Sequence, residues 1–199
     1  MRGFYIRGDY HVCPNPLSLD TYSGCEFDCK YCYIKEMEET ILKPYANHTP
    51  YPIDAVRSGL RRAFSERETK DSALLLLRNG HVVTIGRKCE PLGKLEQEYR
   101  ATLGALRAMK DYGVSVTVET RGYVTSEYYN YLSAVNLSLT PPMDELEPGL
   151  PSYRERVRMA KELKASGIPL FVKGEPMIPL FHENKLEEYV SDLAEISPD

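Results

Sequence analysis

Five times along this chain, a run of β-branched and apolar residues gives way after a short joint to a segment with apolar residues at three- and four-residue steps. That alternation restricts the fold more than any other property, because parallel neighbouring strands need a long crossover and a helix supplies it. Residues 17–22 alternate as a first strand. Residues 52–67 read as a helix, with Pro52 in its first turn and Ile53, Val56, Leu60 and Phe64 on one face. A short strand at 82–85 is closed by Gly86, and 94–112 reads as one long helix with Leu95, Tyr99, Leu103, Leu106 and Met109 aligned and Gly113 as its stop. Strand 114–118, helix 125–132, strand 134–139, helix 152–165, strand 168–172 and helix 184–196 complete the series. Residues 72–85 leave two readings open, a helix end running into a strand or a hairpin turning at Asn79-Gly80. Residues 140–151, rich in proline, form a loop between units. The expected fold class is α/β: a single domain over 1–199, a partial, open parallel (βα) barrel of five units with the sixth missing and a short lead at 1–16.

Composition narrows the function classes. Of 199 residues, 42% are hydrophobic and 27% charged, ordinary values for a globular protein. No apolar run reaches the roughly 18 residues that cross a bilayer. The opening Met1-Arg2-Gly3-Phe4-Tyr5 lacks the apolar core of a secretory signal, so a cytoplasmic protein without a membrane partner is expected. A net charge of −4 argues against a basic coat for non-specific nucleic-acid binding and leaves a local basic groove open. Arg57, Arg61 and Arg62 are followed at once by Glu66, Glu68 and Asp71, and read as a solvated face of mixed sign.

Cysteines stand at 13, 25, 29, 32 and 89, an odd number with three inside eight residues, which is no disulfide framework. The loop at 24–33 spaces Cys25, Cys29 and Cys32 as C-x3-C-x2-C. Three thiolates in one loop can converge on a cubic iron–sulfur cluster and leave its fourth iron open to a substrate. Gly24 lets the chain turn into the loop, and Tyr31 and Tyr33 are expected to shield the cluster from water. Two alternatives belong to another class of function: a structural zinc site completed by Cys13 or His11, and a closed electron-transfer cluster completed by Cys13.

C-x3-C-x-aromatic-C after a first strand resembles the radical S-adenosylmethionine (SAM) superfamily. Residues far from the cysteines are similar to its spore photoproduct lyase-like group: 86–96 with Glu90-Pro91 and Glu96, Ser138-Leu139-Thr140, Glu147-Pro148-Gly149 with Arg156, and Pro176-Met177-Ile178-Pro179. The resemblance spans about 17–180. It implies a barrel of the radical SAM type with its site at the C-terminal ends of the strands. It also implies a [4Fe–4S] cluster on Cys25, Cys29 and Cys32, SAM on the open iron, and reductive cleavage of SAM to a 5′-deoxyadenosyl radical that removes hydrogen from a substrate. An electron donor such as flavodoxin or ferredoxin would reduce the cluster. Nucleic acid enters as a substrate class by family analogy alone. By the same resemblance, Tyr31 lies near adenine, Arg121 takes the place of a Lys on the SAM carboxylate, Ser138 and Cys89 coincide with SAM-contacting serines, and Glu90 belongs to the cofactor-binding loop. Glu147 and Arg156 read as a structural ion pair.

The resemblance also breaks. The group's hydrogen-donating Cys corresponds to Arg87, and the loop's own Cys89 sits two residues later, as a hydrogen donor or a pocket wall. The Gly-Gly-Glu common in the superfamily is missing, and no counterpart of the lyase's DNA-gripping C-terminal part follows Asp199.

Overall fold

The computed structural model describes residues 3–6, 15–35, 48–65, 68–179 and 182–199. Cys13, His11 and most of the lead at 1–16 lie outside these residues. A six-stranded sheet runs in chain order, β1 (Tyr5–Ile6), β2 (Leu17–Leu19), β3 (Val83–Ile85), β4 (Val116–Thr120), β5 (Ala134–Ser138) and β6 (Leu170–Lys173). Strands β2 to β6 are parallel. β1 is a strand that the sequence did not announce. It is two residues long, too short for a periodicity to register, and pairs antiparallel with β2. The sheet does not close, and forms the open (βα) barrel expected.

Side chains alternate across these strands, and the alternation divides labour. One face carries Leu17, Leu19, Val83, Ile85, Val116, Val118, Val135, Leu137 and Leu170, all buried in the main core against the helices. Each stabilises the fold by about 1.5–3 kcal/mol. The other face carries Ser18, Asp20, Thr84, Thr117, Glu119, Asn136, Ser138 and Lys173, a mostly polar set interrupted by Ala134 and Phe171.

The outer layer is α1 (Ile53–Phe64), α2 (Ser72–Arg78), α3 (Lys94–Tyr99), α4 (Ala101–Lys110), α5 (Ser126–Tyr129), α6 (Tyr153–Ala165) and α7 (Leu186–Ile196). The open stretch resolves as a helix running into a strand: Asp71 caps α2 by accepting the N–H groups of Ala73 and Leu74, and no hairpin forms at Asn79-Gly80. α6 opens on a capping box of Ser152 and Glu155.

The expected long helix at 94–112 is two helices. Arg100, at φ +56°, breaks it. The cause is Glu96, whose buried carboxylate turns back to accept the N–H groups of Thr102 (2.8 Å) and Leu103 (2.9 Å) at the start of α4. Its partners Tyr22 and Tyr128 donate their hydroxyls to it as well. Tyr99, expected on the buried face, is exposed as a result. The expected helix at 125–132 shrinks to the four residues of α5. The first strand is shorter too, because the chain leaves the sheet at Asp20 and Tyr22 bridges instead to Pro50.

Candidate active site

The cysteine loop and the C-terminal ends of the parallel strands enclose a cavity of about 350 Å3. Cys25, Cys29, Tyr31, Cys32, Cys89, Glu90, Arg121 and Ser138 all line it, so every site residue read from the sequence comes to one place. They arrive from four separate segments of the chain.

The loop is tied down on two sides and braced within itself. Lys30 donates its backbone N–H to the Leu146 carbonyl at 2.9 Å, and Cys32 donates to the Cys29 carbonyl at 3.1 Å. Glu26 reaches the other way, accepting the Leu95 N–H at 3.3 Å at the start of α3. A Cβ on Gly93 would stand 1.8 Å from that carboxylate, so only glycine lets Glu26 lie across the helix start. A second glycine is equally constrained: Gly86 has φ +98°, and a Cβ there would stand 2.2 Å from the Glu119 carbonyl where the β3 loop crosses β4.

Cys25, Cys29 and Cys32 are half-buried and unbridged. Burial pushes the Cys25 thiol up to about 12 and the Cys29 thiol up to about 11, with Arg121 opposing the rise at Cys29. Metal must therefore displace protons here, as thiolate sites generally require. Backbone N–H groups of Phe27 and Glu90 point at the Cys25 sulfur, the kind of hydrogen bond that tunes an iron–sulfur ligand. Three thiols on one wall of one cavity fit a [4Fe–4S] donor set. Among the described residues, no three His, Cys, Asp or Glu groups are placed to hold a single metal ion. Tyr31 is partly buried beside the loop, whereas Tyr33 departs from expectation: it lines the rim but is 55% exposed, and shields little.

Cys89 is buried, and its thiol faces the Asp20 carboxylate at 3.8 Å. Asp20 also accepts the Tyr5 hydroxyl at 2.6 Å and the Lys88 N–H at 2.8 Å, and burial raises its pKa. The sequence reading missed Asp20. Its only sequence signal is that it shares the polar parity of Ser18. Glu90 borders the cavity with both carboxylate oxygens engaged, one by the Leu92 N–H (2.9 Å) and the Thr120 hydroxyl, the other by the Arg121 N–H (2.8 Å). It staples the β3 loop to the end of β4.

Arg121 follows β4. Its guanidinium donates to the Tyr31 hydroxyl (2.7 Å), to Glu147 (2.7 Å) and to the Glu175 carbonyl (3.0 Å), and lies 5.3 Å from the Tyr31 ring centroid. Arg156, fully buried, pairs with the other oxygen of Glu147. Ser138 ends β5 half-buried, its hydroxyl without a hydrogen-bond partner among the described residues. Lys173, paired with Glu119 at 2.8 Å, completes the far wall.

Known structures share this architecture. Spore photoproduct lyase, in a variant with bound AdoMet and dinucleoside spore photoproduct, superposes with a TM-score of 0.67 at 15% identity, over 97% of this chain and 53% of that one. SuiB of Streptococcus suis gives a TM-score of 0.57 at 17% identity, over 92% of this chain and 38% of that one. The fold is the open barrel of radical SAM enzymes. In sequence, the chain is 21% identical over 187 residues to uncharacterized proteins of Mycobacterium tuberculosis and Mycobacterium bovis, covering 83% of this chain. It spans about half the length of these curated relatives, 51%. No protein-family model matches it.

Proposed function

We propose that this chain is a radical SAM enzyme, with Cys25, Cys29 and Cys32 holding a [4Fe–4S] cluster and SAM bound against it. The observation that supports this reading is the convergence of three loop thiols, a guanidinium and an unpartnered serine hydroxyl on one cavity. When bound, the cluster would supply one electron to SAM and thereby release a carbon radical from the cofactor. The chain's own residues do the rest. Arg121 offers a charge-assisted donor to a carboxylate, and Ser138 offers a hydroxyl. Tyr31 lays its ring against Arg121 and closes that side of the cavity. The Cys89 thiol faces Asp20 and lines the cavity, and serves in this reading as a hydrogen donor or as a pocket wall. A small iron–sulfur or flavin protein is the reductant in this reading, and the cytoplasm its setting. Among the described residues no helix is long and apolar enough to cross a membrane. The dinucleoside bound by spore photoproduct lyase carries over a nucleobase-bearing substrate by analogy only.

Anaerobic reconstitution tests the proposal. The loaded protein should hold a [4Fe–4S] cluster whose electron paramagnetic resonance signal changes on adding SAM, and it should release 5′-deoxyadenosine slowly under dithionite. Replacing Cys25, Cys29 or Cys32 singly by Ala should remove most of the iron, and Cys13→Ala should not. One zinc per chain, or a full cluster indifferent to SAM, would favour the metal-protein alternative instead.

A further inference from the structure

Two of the residues proposed to contact SAM, Arg121 and Tyr31, stand on one buried carboxylate. Glu147, its side chain 1% exposed, receives Arg156 on Oε2. On Oε1 it receives both Arg121, at 2.7 Å, and the Tyr31 hydroxyl. Arg156 extends its second nitrogen to the Ser138 carbonyl at 3.4 Å, and faces Asp144 at 3.8 Å on its outer side. An ion pair that served only to join the 147 loop to α6 would need Oε2 alone. The other oxygen is instead directed at two groups on the cavity wall, one from the cysteine loop and one from the residue that follows β4.

Resting on the function proposed above, we propose that Glu147 is the positioning residue of the cofactor-carboxylate site, fixing the Arg121 guanidinium and the Tyr31 ring before SAM arrives. A free arginine at a cavity wall samples many rotamers, and binding must then immobilise it. Glu147, Tyr31 and the Glu175 carbonyl remove that freedom in advance. Ordering one such side chain corresponds to about a 2- to 12-fold difference in affinity.

Removing Glu147 alone would strand the buried Arg156 charge, so the informative variant replaces the pair, Glu147→Leu with Arg156→Met, which often leaves folding intact. Three quantities are compared with wild type: melting temperature, SAM affinity of the cluster-loaded protein, and hydrogen exchange of the Arg121 guanidinium by nitrogen-15 NMR on iron-free protein. The expected result is a melting temperature near wild type, SAM binding weaker by about 2- to 12-fold, and fast exchange at Arg121. Tyr31→Phe, which strands no charge, should shift Arg121 exchange in the same direction even where the double variant fails to fold. Slow Arg121 exchange and unchanged SAM affinity in a folded variant would overturn the role of Glu147 and leave the enzyme reading standing. A wild-type protein that binds no SAM would overturn both.

Discussion

Glu96→Ala tests whether the break between α3 and α4 is built by one carboxylate. In the wild type, that side chain accepts four donors: the hydroxyls of Tyr22 and Tyr128 and the N–H groups of Thr102 and Leu103. The two phenols can turn toward other acceptors or water, but the two amides cannot. They open α4, whose N-cap residue Arg100 supplies no side-chain cap of its own. Each buried amide left without an acceptor costs about 1–3 kcal/mol, so the pair costs about 2–6 kcal/mol. That is a large share of the roughly 5–15 kcal/mol that a domain possesses. At about 2–4 °C per kcal/mol for a chain of this size, melting should fall by about 4–24 °C. Glu96→Gln keeps one carbonyl acceptor and should lose distinctly less. Urea unfolding followed by circular dichroism gives both differences. A Glu96→Ala protein within about 0.5 kcal/mol of wild type, the range of an ordinary surface change, would refute the argument. The break at Arg100 would then have to come from the chain's own turn preference.

Two other replacements probe the cavity. Arg121→Ala removes a charge-assisted donor worth about 1.5–3 kcal/mol, so SAM should bind roughly 10- to 150-fold more weakly by equilibrium titration while iron content stays the same. Cys89→Ala should retain the cluster and release 5′-deoxyadenosine at the wild-type rate, because its thiol faces Asp20 and lies outside the ligand loop; loss of iron in this variant would show that Cys89 belongs to the cluster site after all.

The parallel order was legible because each strand of the series is followed by an apolar periodicity of helical type, and chirality then leaves few topologies. Gly113, at positive φ, stops a helix where a glycine was read as a stop. What could not be read was anything set by a distant acceptor. Residues 94–112 keep a helical pattern throughout, and nothing local reveals that Glu96 will fold back, since all four of its donors lie outside its own helix. The strand Tyr5–Ile6 has only two residues to advertise itself. In the site, Cys25, Cys29 and Cys32 were visible from spacing. Arg121 and Ser138 were reached through resemblance, and the cavity gathers them. Asp20 and the second task of Glu147 stayed hidden, because a lone carboxylate in a sequence does not say which donors will find it.

The division between the two faces of the sheet has a consequence for how such a chain can change over time. Odd and even residues of each strand answer to different demands, one set to packing against helices and the other to whatever occupies the cavity. Substitutions at Glu119, Ser138 or Lys173, which line the cavity, can therefore alter chemistry while the apolar layer of Val116, Val118, Val135 and Leu137 stays in place. Tolerance to point change on one side is matched by intolerance to slippage. Inserting or deleting a single residue within β4 or β5 would exchange the two faces beyond that point, sending apolar side chains toward the cavity and polar ones such as Glu119 or Asn136 into the helix layer. New specificities in this architecture are thus reached by replacement within strands, and changes of length are confined to the loops between them.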